Sequence, residues 1–149
     1  MEVDLNKRYQ TMIILWFALL MSIGMYFFVS VFAGPEIQPE SGNPRSSILT
    51  VVLTALGTFL VIVSFAVKQK LLRRSVDQQD VNLVQKALVV ACVICEATAL
   101  LGVIERFTVG NRDYYLLFIL AAAGIALHFP KRSQLEAASY KQRSIVNGK

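Results

Sequence analysis

Charged side chains and catalytic motifs are scarce in this sequence. Asp, Glu, Lys and Arg make up 17% of its 149 residues, whereas a soluble domain typically has about 25%. There is one histidine, His128, and there is no Ser-His-Asp pattern, Walker loop or dinucleotide-binding fingerprint. A structural zinc site needs four ligands, and Cys92 and Cys95 are the only cysteines. The sequence therefore predicts neither an enzyme nor a bound metal or cofactor.

Apolar residues, in contrast, amount to 55% of the chain and are concentrated in long blocks. A helix that crosses a bilayer needs about 20 predominantly apolar residues. The blocks predict an all-α integral membrane four-helix bundle within residues 12–130, with spans at about 12–33, 48–67, 83–104 and 114–129. Asp80 is expected to cap the third helix, and Pro130 is expected to end the fourth. Residues 1–11 form a tail, and the basic tail 131–149 is expected to be mobile or to rest on anionic head groups.

Lysine and arginine are unevenly distributed between the two sides of this bundle. Of the 15, twelve lie in the tails and in or beside the loop between the second and third blocks. Because positive charge favours the cytoplasmic side, both termini are expected in the cytoplasm of a multi-pass plasma-membrane or inner-membrane protein. Nucleic acid is not an expected partner, since its binding requires a solvated platform of basic and aromatic residues. Arg106 and the other charges of the outer loops are expected to be solvated, and His128 is expected to lie at the membrane interface.

The first block has an alternative interpretation as a signal peptide. Lys7 and Arg8 precede it, and Val31-Phe32-Ala33 followed by Gly34 is typical of a signal-peptidase site. The apolar region of a signal peptide is usually about 7–15 residues long, and this block is longer. We therefore expect a retained helix, with cleavage as the alternative.

Glu96 lies near the middle of the third apolar block. A charged side chain at the bilayer centre costs about 2.5–3.5 kcal/mol on insertion scales, and no Lys or Arg lies at the same depth in any block. Hydroxyl groups that could supply hydrogen bonds or oxygen ligands at similar depth belong to Ser22, Thr58 and Thr98. Two interpretations stay open: a neutral acid that holds helices together, and a binding site for a proton or cation formed by these residues.

Small residues recur at helical spacing in the third block, at Cys92, Cys95, Ala99 and Gly102, and in the fourth, at Ala122, Gly124 and Ala126. Small side chains let helix backbones approach closely in lipid. These residues are therefore predicted to pack against helices of this chain, of a second copy or of another membrane protein.

The stretch Cys95-Glu96-Ala97-Thr98-Ala99-Leu100-Leu101-Gly102-Val103 resembles the outer helix of the rotor-ring proteolipid, subunit c, of F-type and V-type ATP synthases. In that family an intramembrane carboxylate is followed by small residues and a Gly-Val pair. The basic loop 68–86 falls where the family has its polar cytoplasmic loop. The resemblance implies that Glu96 is an ion-binding carboxylate. The family's inner helix is glycine-rich, whereas the second block here contains only Gly57.

The function predicted from these features is that of a small structural or accessory membrane component that packs with other membrane helices. The alternative is a proton- or cation-binding membrane module, distantly like the rotor-ring proteolipid, that uses Glu96. The lipid bilayer is the partner that both predictions share.

Overall fold

The computed structural model describes residues 5–36, 44–110 and 112–146. The regular structure of these residues is entirely helical, which confirms the predicted all-α class. The elements in chain order are α1 Leu5–Phe32, α2 Pro44–Gln78, α3 Val81–Thr108, a 3₁₀ turn Arg112–Tyr114, α4 Tyr115–Leu127 and α5 Arg132–Val146.

Three of these helices are long and apolar enough to cross a membrane, namely Leu5–Phe32, Ser47–Gln78 within α2, and Val81–Thr108. Their length and composition fit a membrane protein. Helix α4 has 13 residues, or about 20 Å of helix, which is shorter than the hydrocarbon core of about 30 Å. The segment that contains α4 meets α5 at a bend of 46°. A fourth span therefore exists only if this bent pair is counted as one.

Local chemistry explains where the helices begin and end. The Asp80 carboxylate accepts a hydrogen bond from the backbone N–H of Asn82 at 2.9 Å, and it caps α3 as predicted. Between α2 and α3, Gln79 has a φ of 52°, the left-handed conformation in which many helices terminate. Helix α4 ends shortly before Pro130, which cannot donate a backbone hydrogen bond to continue it.

Helix α3 lies at the centre and packs against α1, α2, α4 and α5. The small side chains of α3 that have no exposed surface are Ala87, Ala91, Cys92, Cys95 and Ala99. Because small side chains let backbones approach closely, four helices can pack around this one. Helices α1 and α2 keep much of their apolar surface exposed; Phe17, Met25 and Phe59, for example, are 55%, 64% and 60% exposed. Surfaces of this kind fit a lipid environment and favour aggregation in water.

Helix α5 occupies part of the predicted basic tail. Its Leu135 and Ala138 are buried, and the helix packs against the ends of α2 and α3. Gln79 Nε2, in the turn between those two helices, donates to the Ala137 carbonyl oxygen at 3.5 Å. The sequence predicts a tail that is mobile or rests on anionic head groups. Its first part packs against the bundle instead, because Leu135 and Ala138 lie on the same face of the helix.

Gly57 and Gly24 provide a matched test of this packing. A Cβ at Gly57 would lie 2.7 Å from Leu117 Cδ2 and 2.9 Å from Thr98 Cγ2, whereas one at Gly24 would meet nothing within 4 Å. We predict that Gly57→Ala lowers the free energy of unfolding by about 1–3 kcal/mol through overpacking. Gly24→Ala should leave it unchanged or raise it by up to about 1 kcal/mol, because alanine is the better helix former. Denaturant unfolding in detergent micelles measures both, and equal effects would contradict the close approach at Gly57.

Candidate functional site

Glu96 lies at the seam between α3 and α1. Its carboxyl group forms a hydrogen bond with the Ser22 hydroxyl of α1. The Glu96 side chain is half-buried, on the border between the buried and exposed faces of α3. Of the three hydroxyl residues that the sequence places at its depth, Ser22 is therefore the one that the fold brings to the carboxyl.

Ser22 has one oxygen neighbour in its own helix and a second in α3. Ser22 Oγ lies 2.7 Å from the Leu19 carbonyl oxygen and also contacts the Glu96 carboxyl. The first contact lies within α1, and the second joins α1 to α3.

The two threonines of the predicted ion site make other contacts. Thr58 is exposed, and its Oγ1 donates to the Thr54 carbonyl oxygen one turn earlier at 2.9 Å. Thr98 is completely buried, and its Oγ1 donates to the Gly57 carbonyl oxygen of α2 at 3.2 Å. Both hydroxyls thus satisfy backbone carbonyls, and Thr98 links α3 to α2.

The small-residue face predicted on α3 is buried along its length, at Cys92, Cys95, Ala99 and Gly102. On α4, Gly124 packs against this face, since a Cβ there would lie 2.9 Å from Cys95 Sγ. The other small residues predicted to pack on α4 are less covered: Ala122 is partly buried and Ala126 is exposed. The face of α3 is therefore used for packing within this chain.

A second set of polar side chains, Ser64, Cys95 and His128, joins α2, α3 and the end of α4; we call it the His128 cluster. Ser64 Oγ lies 3.0 Å from His128 Nε2 and accepts a hydrogen bond from Cys95 Sγ at 3.4 Å. None of the three residues has exposed surface, and the nearly buried Lys68 donates from Nζ to the His128 carbonyl oxygen at 3.1 Å. His128 is thus buried between α2 and α4, and its place at a membrane interface stays a prediction.

The direction of the hydrogen bonds in the His128 cluster follows from the single proton of Ser64. The Ser64 hydroxyl donates to the Val61 carbonyl oxygen at 2.6 Å, so its oxygen accepts from Cys95 and from the Nε2–H of His128. This assignment leaves Nδ1 of His128 as an acceptor, and Nδ1 has no hydrogen-bond partner in the part of the chain that the structure describes. The cluster therefore ties α2, α3 and the end of α4 together.

A third set of polar residues lies at the opposite end of the bundle. Glu105 has no exposed surface and Arg106 is 4% exposed. Arg106 Nε donates to the Ser30 carbonyl oxygen at 3.2 Å, and its guanidinium carbon lies 5.2 Å from the centre of the Tyr114 ring. The expectation that Arg106 is solvated is wrong, because the end of α1 and the 3₁₀ turn cover it. Sequence reasoning missed Glu105, since it directly follows an apolar block and carries no local signal of burial.

Metal-binding side chains are not gathered in any of these places. Among the residues that the structure describes, no group of three His, Cys, Asp or Glu side chains could hold a metal ion. Cys92 and Cys95 are both free and buried, and the Cys95 thiol donates within the His128 cluster.

Comparison of the chain with protein-family models, with curated proteins and with solved structures found no match. The resemblance to the rotor-ring proteolipid therefore stays a prediction from the sequence. Inference of function rests on the side-chain geometry of Glu96, of the His128 cluster and of Glu105 with Arg106.

Ser64 and Ser75 of α2 provide a matched test of the His128 cluster. Both are buried, but Ser75 Oγ donates to the Leu72 carbonyl oxygen within its own helix at 2.7 Å. We predict that Ser64→Ala lowers the free energy of unfolding by about 1–3 kcal/mol, because it leaves the Nε2–H of His128 buried without an acceptor. Ser75→Ala should cost less than about 1 kcal/mol, since the Leu72 carbonyl lies in a helix and keeps its backbone partner. Denaturant unfolding in micelles checks both values, and equal losses would contradict the cluster's role.

Proposed function

We propose that the chain is embedded in a bilayer. Its two buried sets of polar side chains, the His128 cluster and Glu105 with Arg106, then lie near the two edges of the hydrocarbon. On α2, Thr50 lies beside Glu105 and Lys68 lies beside His128. The stretch of α2 between them corresponds to about 27 Å of helix, close to the hydrocarbon thickness of about 30 Å. Glu96 then lies near the middle of the bilayer.

Charge and chain direction support an orientation with both termini in the cytoplasm of a plasma or inner membrane. The exposed basic residues at the His128 end of the bundle are Lys70, Arg73, Arg74, Lys86, Lys131 and Arg132. Arg8 Nη1 donates to Asn82 Oδ1 at 2.6 Å, which brings the beginning of α1 to the same end. Because positive charge favours the cytoplasmic side, this end faces the cytoplasm. Helix α4 is then a short fourth element within the bilayer, and α5, which begins at Arg132, lies on the cytoplasmic side of it.

Within the bilayer the chain has a structural or accessory role and packs with other membrane helices at the surface beside Glu96. The observation that carries this proposal is the incomplete burial of Glu96 at mid-depth. Its neighbours on α3 include Val93 and Leu100, which are 48% and 45% exposed, and Met25, which is 64% exposed, lies one turn from Ser22 on α1. The carboxyl therefore borders a continuous apolar surface that another helix can cover.

The Glu96 carboxyl explains why a partner helix would be favoured there. One of its oxygens accepts from the Ser22 hydroxyl, and its second oxygen is an acceptor that lipid tails cannot satisfy. A partner helix with a hydroxyl or amide donor at mid-depth would supply that hydrogen bond. Contacts of this kind between membrane helices contribute about 0.6–2 kcal/mol each, which is enough to select one helix face over another.

The alternative function, proton or cation binding at Glu96, is favoured by the Ser22 contact, since an intramembrane acid with a hydroxyl neighbour can exchange a proton. Ser22 and Glu96 supply only part of the coordination that a metal cation requires. Thr58 and Thr98 direct their hydroxyls to backbone carbonyls. The structural role is therefore the better supported of the two.

Substitution of Glu96 tests the proposed function. We predict that Glu96→Leu separates the chain from its partner helix, whereas Glu96→Gln keeps the association because the amide still donates and accepts. Thr58→Val is the matched control, since Thr58 is also a polar residue of the exposed surface but donates to its own helix. The assembly is extracted from native membranes in mild detergent. Native mass spectrometry then measures its mass and identifies the chains that it contains.

Two outcomes of that measurement would contradict the proposed function. One is a wild-type chain that is extracted alone, and the other is a Glu96→Leu variant whose assembly has the wild-type mass. The alternative would be favoured if proteoliposomes take up protons or cations and Glu96→Gln abolishes this uptake while the assembly stays intact. The reason is that the amide cannot release a proton.

A further inference from the structure

Exposed basic side chains on three elements surround the end of the bundle beyond the His128 cluster. We call this set the basic belt: Lys70, Arg73 and Arg74 of α2, Lys86 of α3, and Lys131 just before α5. None of them pairs with an acid in the part of the chain that the structure describes. Their positive charge is therefore available to a partner outside the chain.

The acidic residues described at this end do not neutralise the basic belt. Glu136 already forms a salt bridge with Arg132 at 3.1 Å, and the Asp80 carboxylate caps α3. Asp77 is exposed on α2, one turn beyond Arg73. One further carboxylate is too little to cancel the belt, so this surface keeps a net positive charge.

The register of α2 and α3 places their basic side chains at one depth. Cys95 Sγ of α3 donates to Ser64 Oγ of α2 at 3.4 Å, which fixes the two helices side by side. Arg73 and Lys86 are each nine residues from this contact, toward the turn that joins the helices. Both therefore lie about 14 Å beyond the contact along the helix axes.

The exposed face of α2 changes from apolar to basic toward this end. Phe59 and Ile62 are 60% and 63% exposed. Lys70 and Arg73 follow them by eleven residues each, which is about three turns and returns to the same face of the helix. A molecule that lies along this face meets apolar side chains first and then cations.

Helix α3 and the end of α4 show the same change. Val93 and Val90 of α3 are 48% and 40% exposed, and Lys86 is exposed one turn before Val90. After α4, Phe129 is 44% exposed, and Lys131 follows it by two residues. Long basic side chains at the border of an apolar surface extend their charged ends toward polar head groups. The apolar surface and the cations thus adjoin on each of these elements.

We propose that the basic belt binds the anionic head groups of phospholipids whose acyl chains cover the apolar faces of α2 and α3. An amphiphile matches both parts of this surface, whereas a soluble anion or an acidic protein matches only the cations. Lysine and arginine clusters on the cytoplasmic side of membrane helices attract acidic lipids. The proposal rests on the bilayer placement proposed above, but it does not depend on the partner helix at Glu96.

Spin-labelled lipids test this proposal with the full-length protein reconstituted in phosphatidylcholine vesicles. Electron paramagnetic resonance measures the fraction of a labelled lipid, added in trace amount, that the protein immobilises. We expect an association constant about five-fold higher for labelled phosphatidylglycerol than for labelled phosphatidylcholine, which corresponds to one effective contact with a basic residue. About 1 M NaCl should remove most of this preference, since it shortens the Debye length to about 3 Å.

Charge variants show whether the basic belt is responsible. Lys70→Gln, Arg73→Gln and Lys86→Gln, combined in one chain, should lower the preference to less than about two-fold. The three side chains are exposed and make no ion pair, so their replacement should leave the fold intact. The matched control is the combination Lys70→Arg, Arg73→Lys and Lys86→Arg, which retains the charge and should keep the preference. Glu96→Gln should also keep it.

Equal immobilisation of the two lipids by the wild type would overturn the proposal, and so would a preference that the triple glutamine variant keeps. Inorganic phosphate in excess over the labelled lipid should leave the preference as it is in NaCl of the same ionic strength. A preference that phosphate alone removes would overturn the lipid as the ligand, in favour of free phosphate. If the protein immobilises neither lipid, the bilayer placement itself fails, which distinguishes that failure from the loss of lipid preference alone.

Discussion

Hydrocarbon offers no hydrogen bonds, and the polar contacts of the bundle fit this constraint. Exposed hydroxyls donate to carbonyls of their own helices: Thr11 to Lys7 at 3.0 Å, Thr58 to Thr54 at 2.9 Å and Thr108 to Ile104 at 2.7 Å. A hydroxyl that is satisfied in this way can face lipid at little cost. The helical backbone follows the same rule, since the backbone N–H and carbonyl groups inside a helix form hydrogen bonds with each other.

Polar side chains that face inward connect pairs of helices instead. Ser22 with Glu96 joins α1 to α3, and Thr98 joins α3 to α2 through the Gly57 carbonyl at 3.2 Å. Ser64 with His128 joins α2 to the end of α4, and Trp16 Nε1 of α1 donates to the Ile125 carbonyl oxygen of α4 at 2.8 Å. Apolar packing in lipid has no hydrophobic driving force between helices. Such contacts therefore help to decide which faces of the helices meet.

Much of the fold follows from local patterns, whereas the burial of individual polar groups does not. The long apolar blocks, the Asp80 cap and the small-residue face of α3 are properties of neighbouring residues, and they are predictable from the sequence. Glu96 is recognisable because a carboxyl in the middle of an apolar block is rare. Its contact with Ser22 depends on how α1 lies against α3, and the sequence only narrows the choice to three hydroxyls.

The burial of the residues at the ends of the apolar blocks is not predictable from the sequence. His128, Glu105 and Arg106 occupy positions where charged and polar side chains usually face water or head groups. Whether they do so depends on what the neighbouring elements cover. Here α2 packs against His128, and the end of α1 and the 3₁₀ turn cover Arg106. Helix α5 was missed because its apolar face is short and its composition is polar. Tertiary packing decides each of these cases.

The central claim is that lipid surrounds the exposed faces of α1 and α2. Spin labels on the exposed face of α2, at residues 59 and 70 in a variant without Cys92 and Cys95, test it in lipid vesicles. A label at residue 59 should collide more often with oxygen than with a water-soluble nickel complex, and a label at residue 70 should show the reverse. Equal access of the nickel complex to both positions would contradict the claim.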